Sequence, residues 1–137
     1  MKIGVAGSMQ FTEQMVAVCE SLKKLGHEPF MSKFKDAYLG KSDEEKEVIK
    51  LDHKFNYDAI REFWKPMQDA DALIVVNLDK HGIKNYIGGN AFLEMGFAHV
   101  LNQRIFLLHP LPDMPYYGTE IAAMNPVILN GDLKKIA

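Results

Sequence analysis

Short apolar runs alternate with segments of helical periodicity along this chain, and that alternation limits its fold more than any other feature. The run Ala72–Val76 is unbroken and rich in β-branched residues, which is typical of a strand buried on both faces of a parallel sheet. Lys2–Gly7 is predicted as the first strand and Arg104–Leu108 as another buried strand, and His27–Met31 and Pro126–Leu129 predict two more. Because helical segments lie between them, we expect an α/β fold: a single-domain three-layer sandwich of about five mostly parallel strands with helices on both faces, Rossmann- or flavodoxin-like.

Helices are predicted in five segments. Ser42 and Glu45 form a capping-box pattern at the start of one of them, and the charged composition of residues 33–54 predicts a solvated face there. Pro29 favours an edge position for the second strand, and Trp64 is expected in the core. The five segments are Thr12–Leu25, a helix that follows Ser42, Asp58–Met67, Ala91–Leu101 and Thr119–Met124.

Length and composition exclude several classes of protein. The 137 residues are enough for one full-sized domain, 1–137, and too few for two. A formal charge of -2 gives no overall basic field for nucleic acid or an anionic membrane, and no apolar run is long enough to span a bilayer. The N-terminus enters a strand at once without a signal peptide, so a cytoplasmic protein is expected. Cys19 is the only cysteine and the histidines lack ligand spacing, so a metal site is not expected.

Glu94 is the strongest candidate for a functional residue. Between Ala91 and Leu101 the only strongly polar side chains are Glu94 and His99, which predicts a helix buried nearly all round. One interpretation is structural, since an acid near a helix N-terminus is favoured by the helix dipole. The other is that Glu94 faces a ligand cavity at the carboxyl end of the sheet, where first-turn amides help keep it ionised as a nucleophile.

Two small-residue turns accompany this helix. Gly88-Gly89-Asn90 precedes it, with Asn90 as the expected N-cap, and Gly7-Ser8-Met9 follows the first strand, with Ser8 as the expected N-cap of the next helix. Turns of this kind direct backbone amides at whatever lies above the sheet, which suits phosphate. A plain capped turn without a ligand explains the same residues, and both interpretations stay open.

The chain resembles the nucleoside 2-deoxyribosyltransferase superfamily at the run 88–98, GGNAFLEMGFA, which follows the strand and Asp79 in 70–79. That superfamily also holds the 2'-deoxynucleoside 5'-phosphate N-hydrolases. Its members place a small-residue turn before a helix of the form Glu-hydrophobic-Gly-x-Ala, whose Glu is the nucleophile, and 94–98 fits that form. Gly7-Ser8-Met9 looks like the Gly-Ser-hydrophobic turn with which the phosphate hydrolases contact substrate.

The resemblance implies an enzyme that cleaves or transfers the N-glycosidic bond of a (deoxy)nucleoside or nucleoside 5'-monophosphate. Glu94 is the implied nucleophile, and Asp79 is the implied partner for the sugar or the proton. No cofactor is implied; the partners are a small-molecule nucleoside or nucleotide and a second copy of the chain, in a homodimer or higher homo-oligomer. The implied substrate-binding residues are Gly7, Ser8, Met9, Asn77, Tyr86, Gly88, Gly89 and Asn90.

The chain departs from the family pattern in two places. Transferases commonly carry an Asp six residues before the nucleophile and a Gly four before it, where this chain has Gly88 and Asn90. The family also often completes its site with a neighbouring subunit's C-terminal region, and the candidates here are Tyr116, Tyr117, Asn125 and Asn130. The apolar surface of the Glu94 helix independently favours a partner subunit.

Two rival functions remain. A binding or sensing module could use the same pocket for a nucleotide without turning it over, and the missing Asp favours this alternative. A flavodoxin-like electron carrier is the other, and it predicts a bound yellow cofactor.

Overall fold

The computed structural model describes residues 1–136 and centres on one sheet of five strands, all parallel, in the order β2-β1-β3-β4-β5. This confirms the predicted α/β class and the edge position of the strand that contains Pro29. The central strand, β3, is buried along its whole length, as its unbroken apolar sequence predicted. The strands are β1 Lys2–Ala6, β2 Glu28–Phe30, β3 Ala72–Val75, β4 Arg104–Leu107 and β5 Val127–Ile128.

All five predicted helices are present, with ends that differ from the prediction by a few residues. Ser42 and Glu45 form the capping box at the start of α2. The helix α1 ends before Gly26, whose φ of +89° suits a glycine after a helix. The helices are α1 Thr12–Lys24, α2 Asp43–Asn56, α3 Ala59–Met67, α4 Gly89–Val100 and α5 Gly118–Ala123; 3₁₀ turns, which were not predicted, span Met9–Phe11, Lys35–Ala37 and Leu133–Lys135.

The core has two halves, one on each face of the sheet. On one face, β-strand side chains pack against Met15, Cys19 and Leu22 of α1. On the other face they pack against α3, α4 and α5, which supply residues such as Met67 and Met95. The helices therefore cover both faces of the sheet, which confirms the three-layer architecture.

The structure corrects two predicted helix caps. Gly88 is the N-cap of α4 and makes no side-chain capping bond, so Asn90 lies inside the helix as its second residue. The Ser8 hydroxyl accepts a hydrogen bond from the Gln10 amide at 3.3 Å and so caps the short turn Met9–Phe11, not α1. In both places the chain enters helical geometry earlier than its side chains suggested.

The structure also corrects the expectation that α4 is buried all round. Leu93 is 42% exposed and Val100 is 73% exposed in the single chain. Trp64, expected in the core, is only partly buried and packs edge-on against Phe97 of α4 with ring centroids 5.1 Å apart. An outer helix of a sandwich buries only the stripe that faces the sheet, so its opposite face stays exposed whatever its composition.

None of the helices within residues 1–136 is both long and apolar enough to cross a membrane.

Candidate functional site

The order of the strands places the site between β1 and β3. The chain leaves β1 toward α1 on one face of the sheet and leaves β3 toward α4 on the other, and parallel sheets of this order bind ligands at that point. The turn that follows β1 forms the floor of this site. A Cβ at Gly7 would lie 3.0 Å from the Val76 carbonyl oxygen and 3.2 Å from the Met15 sulfur, so the backbones approach too closely for a larger residue.

One of two adjoining cavities at this point is mostly apolar, and we call it the apolar cavity. It measures about 550 Å³, including the solvent at its mouth. Aromatic and aliphatic side chains form most of its wall, with the Glu94 carboxyl group among them. Its lining residues are Gly7, Met9, Ser32, Phe34, Tyr38, Lys50, Ala59, Ile60, Phe63, Asn90, Leu93 and Glu94.

The Glu94 carboxyl has no hydrogen bond or ion pair with any residue of the described chain, 1–136. Burial among apolar neighbours raises its pKa from 4.5 to about 8. The expectation that first-turn amides keep it ionised is therefore wrong, because Glu94 is the sixth residue of α4 and lies beyond the first turn. At neutral pH the carboxyl group is mostly protonated in this state of the molecule.

The second cavity, which we call the basic cavity, is lined by three lysines. It measures about 490 Å³, again including solvent at its mouth. Lys50 pairs with Glu47 at 2.8 Å, whereas Lys54 and Lys80 form no ion pair within residues 1–136. The full lining is Gly7, Ser8, Met9, Lys50, Lys54, Lys80, Tyr86, Gly88, Gly89, Asn90 and Ala91.

Lys80 is the most constrained of these cations. Its Nζ donates a hydrogen bond to the Ser8 hydroxyl at 2.8 Å and lies 5.6 Å from the centre of the Tyr86 ring. Burial lowers the pKa of Lys80, and the nearby charge of Lys50 lowers it further. Repulsion between neighbouring cations that face one cavity is relieved when an anion binds between them.

The N-terminus of α4 adds to the positive potential of the basic cavity. Gly89, Asn90 and Ala91 are the first three residues of this helix, and all three line the cavity. Amides in the first turn of a helix have no intrahelical acceptor and carry the positive end of the helix dipole. Lysines and free amides together suit a phosphate group.

The two cavities lie side by side, because Gly7, Met9, Lys50 and Asn90 line both. Glu94 lies one helical turn beyond Asn90, on the same side of α4. A ligand with an apolar, planar end and an anionic end therefore fits across the site, with its middle beside Asn90 and Glu94.

Most of the residues predicted for the site lie together at these cavities. Those residues are Gly7, Ser8, Met9, Tyr86, Gly88, Gly89, Asn90 and Glu94.

Asn77 and Asp79 do not line either cavity. Asn77 is fully buried, and its side chain bonds to the carbonyl oxygens of His109 and Pro110 and to the amide of His109. Asp79 accepts a hydrogen bond from the Asn85 amide at 2.9 Å. Both side chains thus hold loops beside the sheet.

The lysines and the aromatic wall of the site were not predicted from the sequence. Residues 33–54 were interpreted as a solvated face, yet Phe34, Tyr38, Lys50 and Lys54 from this segment line the cavities. Lys46, Lys50 and Lys54 recur every fourth residue, a spacing that aligns them on one face of a helix, and this was the available signal. No pattern in the sequence marks Lys80 as a site residue, because only the fold brings it close to Ser8.

No group of three or more His, Cys, Asp or Glu side chains in the described part of the chain is placed to hold a metal ion.

The chain matches no protein-family model, and no curated protein is significantly similar to it. Among solved structures it is similar to the CMP N-glycosidase BcmB of Clostridium botulinum, with 18% identity and a TM-score of 0.48 over 95% of this chain and 90% of that one. Similarity at this level does not assign a family or an activity.

Proposed function

We propose that this protein cleaves the N-glycosidic bond of a nucleoside 5'-monophosphate with Glu94 as the nucleophile. The observation that carries the proposal is a carboxyl group without a protein partner in the wall of an apolar cavity, next to a cavity lined by lysines. Glu94 is half-buried among apolar side chains, and acids in such surroundings are normally paired or functional. No structural partner explains this one within the described residues.

The base would occupy the apolar cavity. Phe34, Tyr38 and Phe63 provide aromatic surface there, and Ser32 provides a polar side chain. Aromatic rings are suited to the planar face of a nucleobase. This end of the ligand would bring C1' of the sugar to the Glu94 side of the site.

The 5'-phosphate would occupy the basic cavity. Lys54 and Lys80 form no ion pair within residues 1–136, although the charge of Glu47 acts on both of them from a longer distance. Two ammonium groups at one cavity match a phosphate dianion. The Ser8 hydroxyl and the first-turn amides of α4 would complete the set of donors. A free nucleoside would leave these cations without a counter-charge, so we expect phosphorylated substrates to be preferred.

The reaction would proceed in two steps. The ionised Glu94 carboxylate attacks C1', a carbon–oxygen bond forms, and the C1'–N bond breaks with its electron pair passing to the base, which takes a proton from water. Water then attacks C1', releases the sugar phosphate and restores the carboxylate and one proton. If a second base attacks in place of water, the outcome is transfer.

Incubation with a panel of nucleosides, deoxynucleosides and their 5'-monophosphates, followed by chromatography for free base, tests this proposal. We expect base release from the monophosphates and its loss in Glu94→Ala with the fold intact by circular dichroism. Undiminished release by that variant would reject the assigned role of Glu94.

A second function, a nucleotide-binding module without turnover, is favoured by one observation. The pKa of Glu94 near 8 leaves only a minority of the carboxyl ionised at neutral pH, which opposes its use as a nucleophile. Measurable binding of a 5'-monophosphate by calorimetry, with no base released at pH 8.5 or above, would establish this second function over the first.

A further inference from the structure

The helix α2 is attached to the rest of the molecule differently from α1, α3, α4 and α5. None of its side chains belongs to either half of the hydrophobic core. Its apolar residues Val48, Leu51 and Phe55 are 69%, 44% and 79% exposed, and Ile49 is half-buried and outside the core. Its one buried residue is a lysine, Lys46. Apolar burial therefore does not fix the position of this helix.

Polar contacts of Lys46 join α2 to the start of α1. The Lys46 Nζ donates to Glu13 Oε2 at 2.7 Å and to the Gln10 carbonyl oxygen at 3.2 Å. The other Glu13 oxygen accepts from the Gly40 amide at 3.2 Å, just before α2 begins. Lys46 holds the pKa of Glu13 below its usual range. One carboxylate thus binds both the helix and the loop that leads into it.

The same face of α2 carries the lysines of the basic cavity. Lys50 and Lys54 follow Lys46 at intervals of four residues, so the three side chains lie along one stripe of the helix. Fixing Lys46 against the turn after β1 therefore fixes where Lys50 and Lys54 stand relative to Ser8.

The other end of α2 contacts the wall of the apolar cavity. His53 stacks on Phe34 with ring centroids 4.4 Å apart, and its Nδ1 lies 3.3 Å from the Tyr38 hydroxyl. Both aromatic residues line that cavity. The helix thus provides or supports one side of both cavities while contributing nothing to the core.

We propose that α2 is a movable cover over the site and that the Lys46–Glu13 ion pair is the latch that holds it closed. The role of the cover in substrate binding depends on the proposed function, whereas the role of the latch in holding α2 does not. Lys46 and Glu13 are positioning residues here, since neither lines a cavity.

The exposure of the two partners explains why this pair controls the helix. The Lys46 side chain is 5% exposed and that of Glu13 is 47% exposed. An exposed ion pair contributes little, but a cation that stays buried after its partner is removed is strongly unfavourable. Without Glu13 the Lys46 ammonium regains water by moving outward, and α2 moves with it.

Hydrogen exchange of the backbone amides tests the latch without any need for turnover. We expect Lys46→Met and Glu13→Gln to speed exchange across 43–56 by at least about tenfold, while the strands keep the protection of the wild-type protein. Lys46→Arg, which keeps the charge and the reach, should retain protection. Glu20→Gln is the matched control, because it breaks the exposed pair of Glu20 with Lys23 on α1.

Measurements of ligand affinity test whether the Lys46–Glu13 ion pair affects binding at the site. Titration with inorganic phosphate and with a nucleoside 5'-monophosphate should show affinities at least about tenfold weaker in Lys46→Met and Glu13→Gln than in the wild-type protein or Glu20→Gln. Where turnover is measurable, KM should rise and kcat should change little, because Glu94 belongs to α4.

Three outcomes would overturn the inference. Unchanged exchange across 43–56 in both variants would show that other contacts hold the helix. Faster exchange with unchanged affinity would show that the helix does not cover the site. Global unfolding of both variants would show that α2 is part of the cooperative core. A wild-type protein that binds no phosphate would instead refute the proposed substrate, and the exchange result would still decide whether the pair holds α2.

Discussion

At the level of single residues, the protonation state of Glu94 decides what the site can do. Attack at C1' needs the carboxylate, and burial raises the pKa of this group to about 8. In the free enzyme kcat/KM should therefore rise about tenfold per pH unit below pH 8 and level off above it. A profile of initial rates between pH 5 and 9.5 measures this. A rate that falls as pH rises would assign Glu94 the role of an acid.

The same shift links the stability of the fold to pH. Below pH 4.5 the carboxyl is protonated in both the folded and the unfolded chain. Between about 4.5 and 8 the unfolded chain releases the proton while the folded chain keeps it, so rising pH favours unfolding. Glu94→Gln has no proton to release. We expect the free energy of unfolding of the wild-type protein to fall by about 4 kcal/mol relative to this variant across that range.

Urea unfolding of both proteins at pH 5 and pH 8.5 measures this difference. A difference between the two proteins that does not change with pH would mean that Glu94 is ionised in the folded chain throughout.

Lys80 should discriminate phosphorylated from unphosphorylated substrates. Its ammonium is partly buried beside Ser8 and would donate a charge-assisted hydrogen bond to the phosphate. Lys80→Met should raise KM for a 5'-monophosphate by about 10- to 100-fold, since hydrogen bonds to charged groups contribute about 1.5–3 kcal/mol. Lys84→Met changes an exposed lysine of the same loop and serves as the control. Equal effects of the two changes would count against a phosphate contact at Lys80.

Residues of the site were predictable where a local pattern marks them. Glu94 is an acid in an apolar helix, and Gly7 and Gly88 are small residues in turns after strands, so a few neighbours are enough to single each out. Lys80 reaches Ser8 across 72 positions of sequence, and no local pattern records such a contact. The pKa of Glu94 was misjudged for a similar reason, because it depends on the packing of the cavity wall.

At the level of elements, the turn after β1 forms the floor of both cavities, next to the end of the sheet. Adding a Cβ at Gly7 would bring it to 3.0 Å from the Val76 carbonyl oxygen, and the φ of +158° is one that other residues rarely adopt. Gly7→Ala should destabilise the fold by about 1–3 kcal/mol and distort the floor of both cavities.

Gly89→Ala is the matched control, because a Cβ there meets nothing within 4 Å and the position is helical. It should leave stability unchanged or raise it by about 0.4–1 kcal/mol. Thermal unfolding of the two variants side by side gives the comparison. Similar melting temperatures for the two variants would show that the protein accommodates a Cβ at Gly7 with little loss of stability.

The presence of each strand and helix was easier to predict than where it ends or whether it contributes to the site. The strands β3 and β4 follow from unbroken apolar runs, and α1 follows from helical periodicity, because burial imposes those patterns directly. The caps of α4 and α1 depend on where the backbone first turns helical, which side-chain type did not reveal. The charged surface of α2 is an ordinary solvated pattern, and only tertiary contacts turn one stripe of it toward the site.

At the level of the whole molecule, an exposed apolar patch covers the outer side of α3 and α4. We call it the outer patch; its residues are Ile60, Trp64, Leu93, Phe97 and Val100. Leu93, Phe97 and Val100 recur at helical spacing on one face of α4, and contiguous apolar surface of this kind marks interaction sites. A second copy of the chain remains the expected partner, and Leu93 would bring that interface to the edge of the apolar cavity.

Val100→Glu tests this expectation. Val100 is 73% exposed, so the change is tolerated in a single chain, but a carboxylate buried in an interface without a partner opposes association. Analytical ultracentrifugation should show a dimer or larger oligomer for the wild-type protein and a monomer for the variant. Val48→Glu, at a valine of α2 that is 69% exposed, should leave the oligomer intact. A monomeric wild-type protein would contradict the expectation.

If Glu94 is the nucleophile, the mass of the protein itself should increase during turnover. A nucleoside 5'-monophosphate would be mixed with the enzyme above pH 8, quenched in acid within milliseconds to seconds, and the protein digested and analysed by mass spectrometry. The account predicts a sugar phosphate joined as an ester to the peptide that contains Glu94, and its absence in Glu94→Gln. Base released by the wild-type protein and by Glu94→Gln at equal rates, with no modified peptide in either, would contradict it.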